Sequence, residues 1–590
     1  MCGIFAYIGP ENAYDKIVNG LKRLEYRGYD SWGVATLSDG IHVSKQVGSI
    51  GDAIPTDSHP SSAMGIGHTR WATHGSITRE NAHPHFSTDG SFVLAQNGIV
   101  ENYQSLKAAL SKKGYKFETE TDTEVIVRLV EDKLTNTKDL DEATRRAFLE
   151  LEGRNTIILL TKDEHIVAAR NGSPLVIGVN DDMKEIFFSS DTLSFAPFVK
   201  KVIVIDNGQI VSSYKGSVTV KDASSGKTID AQPESINLVN DKVDKEGYDH
   251  FMLKEIHESP FVVRQLINQD LNEYQEFAKA LKKARNVYTI ASGTAGIAAS
   301  QIAFYLRENA GIKALGLIGA DALEYEDLFT EDDILIAPSQ SGETADVLEV
   351  LERVKKKGVK IASFVNMQGS TMTRLSDYKF LSQAGPEICV MSTKVFVSQI
   401  AWGYLISKIA AGKTEEGVRN LRELSKQMED YLKDEQTEKT LKQLSHQIIA
   451  ADDIFLLGKY QNFNIVKEGM VKLIEGTYKH AHAIPAGDLK HYAITLMEKG
   501  VPVIFAVSED KSKADIINAV NQVKARGATV IAVASKPNES YDHFIEVPNT
   551  GETSAILNVI PLQLLAYYMT VELRNNVDKP RNIAKSVTVK

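Results

Sequence analysis

Two stretches of this chain repeat one pattern at a fixed distance. The segment DILIAPSQSGETADVLEVLERVKKKGVKIASFVN, which opens at Asp333, has a counterpart in VPVIFAVSEDKSKADIINAVNQVKARGATVIAVAS, which opens at Val501. Ala345-Asp346 matches Ala514-Asp515 and Gly358 matches Gly527; 514 minus 345 and 527 minus 358 both give 169. A constant offset across an apolar run and the helical pattern behind it means one supersecondary unit used twice. Apolar runs alternating with helical stretches are the signature of βαβ units around a parallel sheet. The repeat therefore predicts two tandem α/β doubly wound domains, at about 275–425 and 440–575, entered through 241–274 and followed by a tail at 576–590.

The copies differ at the strand-to-helix turn. The first has Ser339-Gln340-Ser341-Gly342-Glu343-Thr344, and at the same offset the second has Ser508-Glu509-Asp510-Lys511-Ser512-Lys513. Three hydroxyls, a glycine and the unpaired N–H groups of a helix start form a ready anion site. The second copy puts two carboxylates in the equivalent place, so one phosphate site, in the first copy, is expected. The plain alternative is a serine-rich turn that caps its helix.

The first 240 or so residues have a different texture. Short strand patterns such as SFVLAQNG and NTIILLTKDEHIVAAR, separated by Gly, Asp and Asn turns, alternate with helices such as YQSLKAALSKKG. This predicts an α+β domain with antiparallel sheets over 2–240. The polar stretch VNDKVDKEGYDH (239–250) reads as a linker. With 590 residues, three domains are the natural count.

Charge and cysteine content narrow the function. There are 67 basic and 77 acidic residues, a net charge of −10, and no Lys/Arg block stands out, which disfavours nucleic acid and anionic membrane as partners. The longest apolar tract, residues 556–569, contains Asn558, Pro561 and Gln563 and falls short of the roughly 20 residues a membrane span needs. No basic and apolar leader pattern opens the chain. Cys2 and Cys389 are the only cysteines, too few for a disulfide framework or a cysteine-rich metal site, so a reducing, cytoplasmic setting is expected.

The position of Cys2 matters more than the count. Removal of Met1 leaves a residue carrying a thiol and a free α-amine. The amine titrates at about 8 and the thiol at about 8.5, so the amine can take the thiol proton at little cost at neutral pH. Nucleophile and base then share one residue, the N-terminal nucleophile (Ntn) arrangement.

The blocks MCGI, RLEYRGYDS (23–31), GHTRWATHG (67–75), NAHPH (81–85), QNGIVENY (96–103) and ETDTEV (120–125) resemble the class II glutamine amidotransferases. Over its full length the chain is similar to the glutamine:fructose-6-phosphate amidotransferase family. The resemblance implies that Cys2 attacks the glutamine carboxamide and that Asn97 and the Gly98 N–H form the oxyanion hole. It implies that Arg70 clamps the α-carboxylate of glutamine and Asp122 its α-ammonium, with Trp71, Thr73 and His74 on a loop that closes over the substrate. Trp71 is also implied as the gate of a covered path for ammonia. Trp32 stands where relatives often carry a small residue.

The resemblance extends to both repeated domains, which look like the sugar isomerase (SIS) fold. ASGTAG (291–296) and PSQSGET (338–344) match loops that hold a sugar phosphate, which implies Ser339, Gln340, Ser341 and Thr344 at the phosphate and Thr294 along the sugar. Ser292 and Ala295 depart from the Cys and Ser frequent in relatives, and STKVF (392–396) carries Val395 for Ala. In KEGMVKLIEGTY, Glu468, Lys472 and Glu475 are spaced by four and three, hence on one helix face, where a solvated ion pair is the plain alternative. The resemblance makes Glu475 the base that moves a proton between C1 and C2, Lys472 its neighbour tuning the charge, and His491 of AGDLKHY the ring-opening residue; Asp488 and Tyr492 there replace the usual Glu and Gly. The tail DKPRNIAKSVTVK (578–590) matches the family and makes Lys585 the amine that forms an imine with the C2 ketone.

The implied reaction takes glutamine and fructose 6-phosphate to glutamate and glucosamine 6-phosphate, with no cofactor and no metal. SIS domains usually pair, so a homodimer is expected. Two alternatives stay open: a SIS deglycase or isomerase on a related sugar phosphate, for which Ser292, Ala295, Lys459 and Tyr492 leave room, and a non-catalytic sugar-phosphate-binding regulator.

Overall fold

The computed structural model describes residues 2–51, 53, 59–214, 216–235 and 244–588. Met1, the first part of the 239–250 linker, the boundary at 240 and the last two tail residues lie outside them. The chain divides into two compact units: residues up to 241 with the segment from Ser586, and Lys242–Lys585.

In the first unit the alternating strands build two antiparallel sheets. One has eight strands, with Gly3–Ile8 (β1) at its centre between Ile186–Ser189 and Met64–Arg70 (β3); Ser31–Leu37 (β2) pairs with β3 on its other side. The other has seven, in which Phe92–Gly98 (β4) pairs with Asn155–Thr161 (β5). Period-two alternation sorts the side chains into layers. Ile4 and Ala6 of β1 and Val93 and Ala95 of β4 share the core between the sheets. Phe5 and Tyr7 face helix Ala13–Arg23, while Phe92 and Leu94 face helix Asp122–Leu134 (α1). The result is an αββα sandwich, the α+β class expected from the sequence. Trp32 on β2 is 2% exposed and packs in the Phe5–Tyr7 layer, which answers where its large ring goes.

The second unit holds two five-stranded parallel sheets. Numbered within each copy, both have strand order 2-1-3-4-5. In the first copy strands 1 and 3 are Val287–Ala291 (β6) and Ile334–Ser339 (β7), followed by helices Gly293–Ala310 (α2) and Ala345–Lys356 (α3). In the second they are Asp453–Gly458 (β8) and Pro502–Ala506 (β9). Chain order reverses between strands 1 and 3, and the crevice outside their carboxyl ends is where doubly wound sheets bind ligands.

Each copy also supplies a helix buried on nearly every side: Lys394–Ala410 (α4) in the first and Ser554–Glu572 in the second. They join one core that spans both sheets. The apolar tract noted in the sequence is thus part of a 19-residue helix with Pro561 inside it. By length and composition it could cross a membrane, but its apolar window is 94% buried within the fold.

Candidate active site

β1 and β3 pair with Gly3 opposite Thr69, so Cys2 comes across from Arg70 at the end of the strand. The Trp71 N–H donates to the Cys2 Sγ at 3.3 Å. Burial pushes the thiol up, and this N–H and the Arg70 charge act against that shift. An N-terminal amine acting as base has therefore a specific task here, because the thiol does not ionise readily by itself.

The loop after β3 is folded around Arg70. Its guanidinium donates to the carbonyls of His74, Gly75 (3.1 Å) and Ser76 (3.2 Å). Among the described residues, two of the five N–H groups that arginine carries, on Nε and Nη1, are left over. Trp71 packs edge-on against Tyr29, the Ala72 N–H donates to Asp30 at 2.8 Å, and the His74 ring meets Tyr103. Thr73 is exposed at the turn.

β4 brings Asn97 and Gly98 to the same edge. Asn97 is buried and its Nδ2 donates to Ser190 Oγ at 2.7 Å, which also accepts from the Ile4 N–H at 2.9 Å. Ser190 thus ties the two strands together, a role no sequence signal announces. Gly98 has φ of +126°, and a Cβ there would stand 1.9 Å from the Arg154 carbonyl, so only glycine fits. Asp122 opens α1, buried, accepting from the Val100 N–H at 2.8 Å. Burial raises its pKa; the Val100 N–H and His74 oppose this. Three buried histidines, His68, His83 and His85, follow one another with ring separations of 4.3 Å (tilted) and 5.0 Å (edge-on), all held neutral by burial.

In the second unit the loops after β6 and β7 lie side by side at the switch point. The Ser339 hydroxyl accepts from the Gly342 N–H at 2.9 Å and Ser341 from the Glu343 N–H at 3.2 Å. Gln340 offers its carbonyl to Met367. Thr344 stands at the N-cap of α3 but makes no capping hydrogen bond, and Ser292 does the same at the N-cap of α2. The serines therefore shape the turn itself, while neither cap hydroxyl is spent on its own helix start.

Helix Phe463–Thr477 (α5) of the second copy reaches this point. Lys472 Nζ contacts Thr294 Oγ1 at 3.1 Å, Glu475 at 2.5 Å and Glu468 at 3.4 Å. Neither Lys472 nor Glu468 has any side-chain exposure. Burial acts to lower Lys472 but the two carboxylates outweigh it and raise its pKa, whereas burial pushes Glu468 up to about 8. The solvated-face alternative does not hold for this helix.

Lys585 is buried, pairing with Glu387 at 2.5 Å and donating to the Cys389 carbonyl at 2.7 Å. Glu387 also accepts from Ser392 Oγ and from the Thr393 and Val395 N–H groups. Burial would raise its carboxyl, but Lys585 and these donors hold it low. Glu387 was not singled out from the sequence, although it lies just before STKVF. Among the described residues no hydrogen bond, ion pair or ring contact brings His491 to this cluster; it is exposed on a short turn, with its backbone N–H on the Asp488 carbonyl. Among the described residues no group of three or more His, Cys, Asp or Glu side chains is placed to hold a metal ion.

The SIS domain family matches residues 280–407 and 447–573, and the glutamine amidotransferase domain family matches 68–196. The isomerizing glutamine–fructose-6-phosphate aminotransferase of Pyrococcus horikoshii is 37% identical over the full length of both chains, and that of Aquifex aeolicus is 36% identical, again full length. Among solved structures, the C-terminal domain of glucosamine-fructose-6-phosphate aminotransferase from Francisella tularensis aligns with a TM-score of 0.52 at 27% identity, covering 57% of this chain and all of that one. With likeness of this degree running from end to end, the chain belongs to the isomerizing glutamine–fructose-6-phosphate aminotransferase family.

Proposed function

We propose that this chain hydrolyses glutamine at Cys2 and delivers the ammonia to fructose 6-phosphate, forming glutamate and glucosamine 6-phosphate. The observation that carries the reading is the presence in one chain of two built clusters: a half-buried thiol held by the Trp71 N–H near Arg70 and Asp122, and the Thr294–Lys472–Glu475 set at a doubly wound switch point.

In the first unit the Cys2 thiol passes its proton to its own α-amine and attacks the carboxamide carbon. Asn97 Nδ2 and the Gly98 N–H receive the charge that develops on oxygen. The proton on the amine goes to the departing ammonia, and water then cleaves the thioester to glutamate. Arg70 uses its remaining N–H groups on the α-carboxylate, and Asp122 ionises against the α-ammonium. Trp71, Thr73 and His74 cover the substrate, with Trp71 the gate for ammonia.

In the second unit Ser339, Gln340, Ser341 and Thr344 hold the phosphate and Thr294 the sugar. His491 moves the proton that opens the ring. The Lys585 amine adds to the C2 ketone and expels water to form an imine, from which ammonia displaces the lysine. Glu475 takes the proton from C1 and returns it to C2, with Lys472 holding its charge. The exposed His491 fits a homodimer, formed through the SIS domains, in which a second copy completes the site, and the metabolic reaction suits a cytoplasmic setting.

The test is glucosamine 6-phosphate formation from both substrates, for intact protein, Cys2→Ala and Lys585→Ala. Intact protein should make the product, Cys2→Ala should lose both activities, and Lys585→Ala should lose the synthase while still hydrolysing glutamine. Glutamine hydrolysis without amino sugar in the intact protein would point to a different acceptor.

A further inference from the structure

The sugar-phosphate cluster is assembled from three pieces: the loops after strands 1 and 3 of the first copy, and a helix lent by the second copy, α5, which meets Thr294 through Glu468 and Lys472. The same three pieces recur with the copies exchanged. The loop after β8 (459–461) and the loop after β9 (508–513) face α2, lent by the first copy. Tyr460 meets Phe304 edge-on at 4.9 Å, and Lys511 pairs with Glu308 at 3.0 Å while lying 4.3 Å over the Tyr460 ring. Between them is a cavity of about 380 Å³, with Lys408 of α4 and Glu552 also in its lining. It is the pseudosymmetric twin of the first switch-point site, and the proposed catalysis makes no use of it.

Its chemistry differs from that of its twin. Asp510 accepts from the Ser512 N–H at 2.8 Å and its hydroxyl at 2.6 Å, so a carboxylate of the chain itself occupies the helix-start position that would otherwise suit a phosphate. Three ion pairs tie up most of the charge: Glu509 with Lys513 at 2.7 Å, Glu308 with Lys511, Glu552 with Lys408 at 2.6 Å; the lining adds one further cation, Lys413, and one further anion, Asp510. Cations and anions therefore balance, which leaves no net charge to attract an ion. Neutral groups remain. Asn309 and Gln461 are anchored through their NH₂ groups, to Ser407 Oγ at 2.9 Å and Asp510 at 2.8 Å, which leaves their carbonyl oxygens as acceptors. Tyr305 lines the cavity, is 2% exposed, and its hydroxyl makes no hydrogen bond of good geometry among the described residues, although the Gln301 side chain is near.

We propose that this cavity is a second ligand site, which takes a neutral, unphosphorylated hexose. Aromatic walls and two amide acceptors suit a ring bearing several hydroxyls, and a volume of this order holds one sugar. The inference rests on the fold and the repeat, not on the catalytic reading.

The experiment uses the whole protein with excess fructose 6-phosphate present, so that the first switch-point site is filled, and measures saturation-transfer NMR to D-glucose and D-fructose. Transfer to at least one probe should persist under the sugar phosphate. The cavity-filling variants Asn309→Trp and Gln461→Phe should abolish transfer while melting and glutamine hydrolysis stay as in the parent; if one of them fails to fold, the other decides. Displacement of the probe by fructose 6-phosphate, equal transfer in a folded cavity-filled variant, or no transfer in the parent at high millimolar probe would each overturn the proposal.

Discussion

Glu468 and Lys472 stand one helical turn apart with neither side chain exposed, and they resolve the burial problem differently. Lys472 stays charged because Glu475, at 2.5 Å, provides a close counter-ion; Glu468 is pushed up to about 8 and holds a proton at neutral pH. A free carboxyl of this type titrates at 4.5. Between that value and about 8 the folded chain binds a proton that the unfolded chain has lost, so stability falls as pH rises through this window and is unaffected below it. Glu468→Gln, which mimics the protonated acid, should leave the free energy of urea unfolding unchanged near pH 4.5 and raise it at pH 8, by a few kcal/mol at most. Equal free energies for parent and variant at both pH values would sink this protonation state. The spacing of 468, 472 and 475 was legible in the sequence, but the proton on Glu468 was not, because it depends on the absence of water around a side chain.

At the level of elements, α5 owes its position to Gly476. A Cβ there would meet Thr570 Oγ1 of the helix Ser554–Glu572 at 2.1 Å, and Thr570 is itself buried with its hydroxyl on the Ala566 carbonyl. In an isolated helix Gly→Ala is favourable by about 1 kcal/mol. In this packed interface the forced separation should reverse the sign, with Gly476→Ala losing roughly 1–3 kcal/mol in denaturant unfolding. Because Glu475 and Lys472 ride on the same helix, amino-sugar formation should fall while glutamine hydrolysis persists; unchanged or improved stability would show that the helices can part without strain. The strand and helix types were readable from periodicity, and even the difference between the two switch-point turns was. What the pattern could not give was that α5 serves the first copy and α2 the second.

Across the whole molecule, contacts between distant residues do what local pattern cannot. Lys585 and Glu387 are 198 positions apart and both buried. Removing the lysine leaves a carboxylate without its counter-ion, so Lys585→Ala should destabilise the second unit by about 3 kcal/mol, and adding Glu387→Gln should restore most of that loss. Thermal unfolding of the single and double variants checks this; no rescue by the second change would mean the pair is not what stabilises the tail. Cys2, Arg70, Asn97, Gly98 and Asp122 could be named from motifs, yet Ser190, which ties β1 to β4, lies in a stretch with no motif at all. By itself the sequence determined the antiparallel first unit, the duplicated parallel sheets and the chemical types at each turn, because alternation, helical spacing and the 169-residue offset are properties of covalent order. Only the tertiary structure decided which helix completes which switch point, which carboxyl keeps its proton, and that a cavity stands at the second switch point, because desolvation and charge pairing depend on neighbours that chain order does not specify.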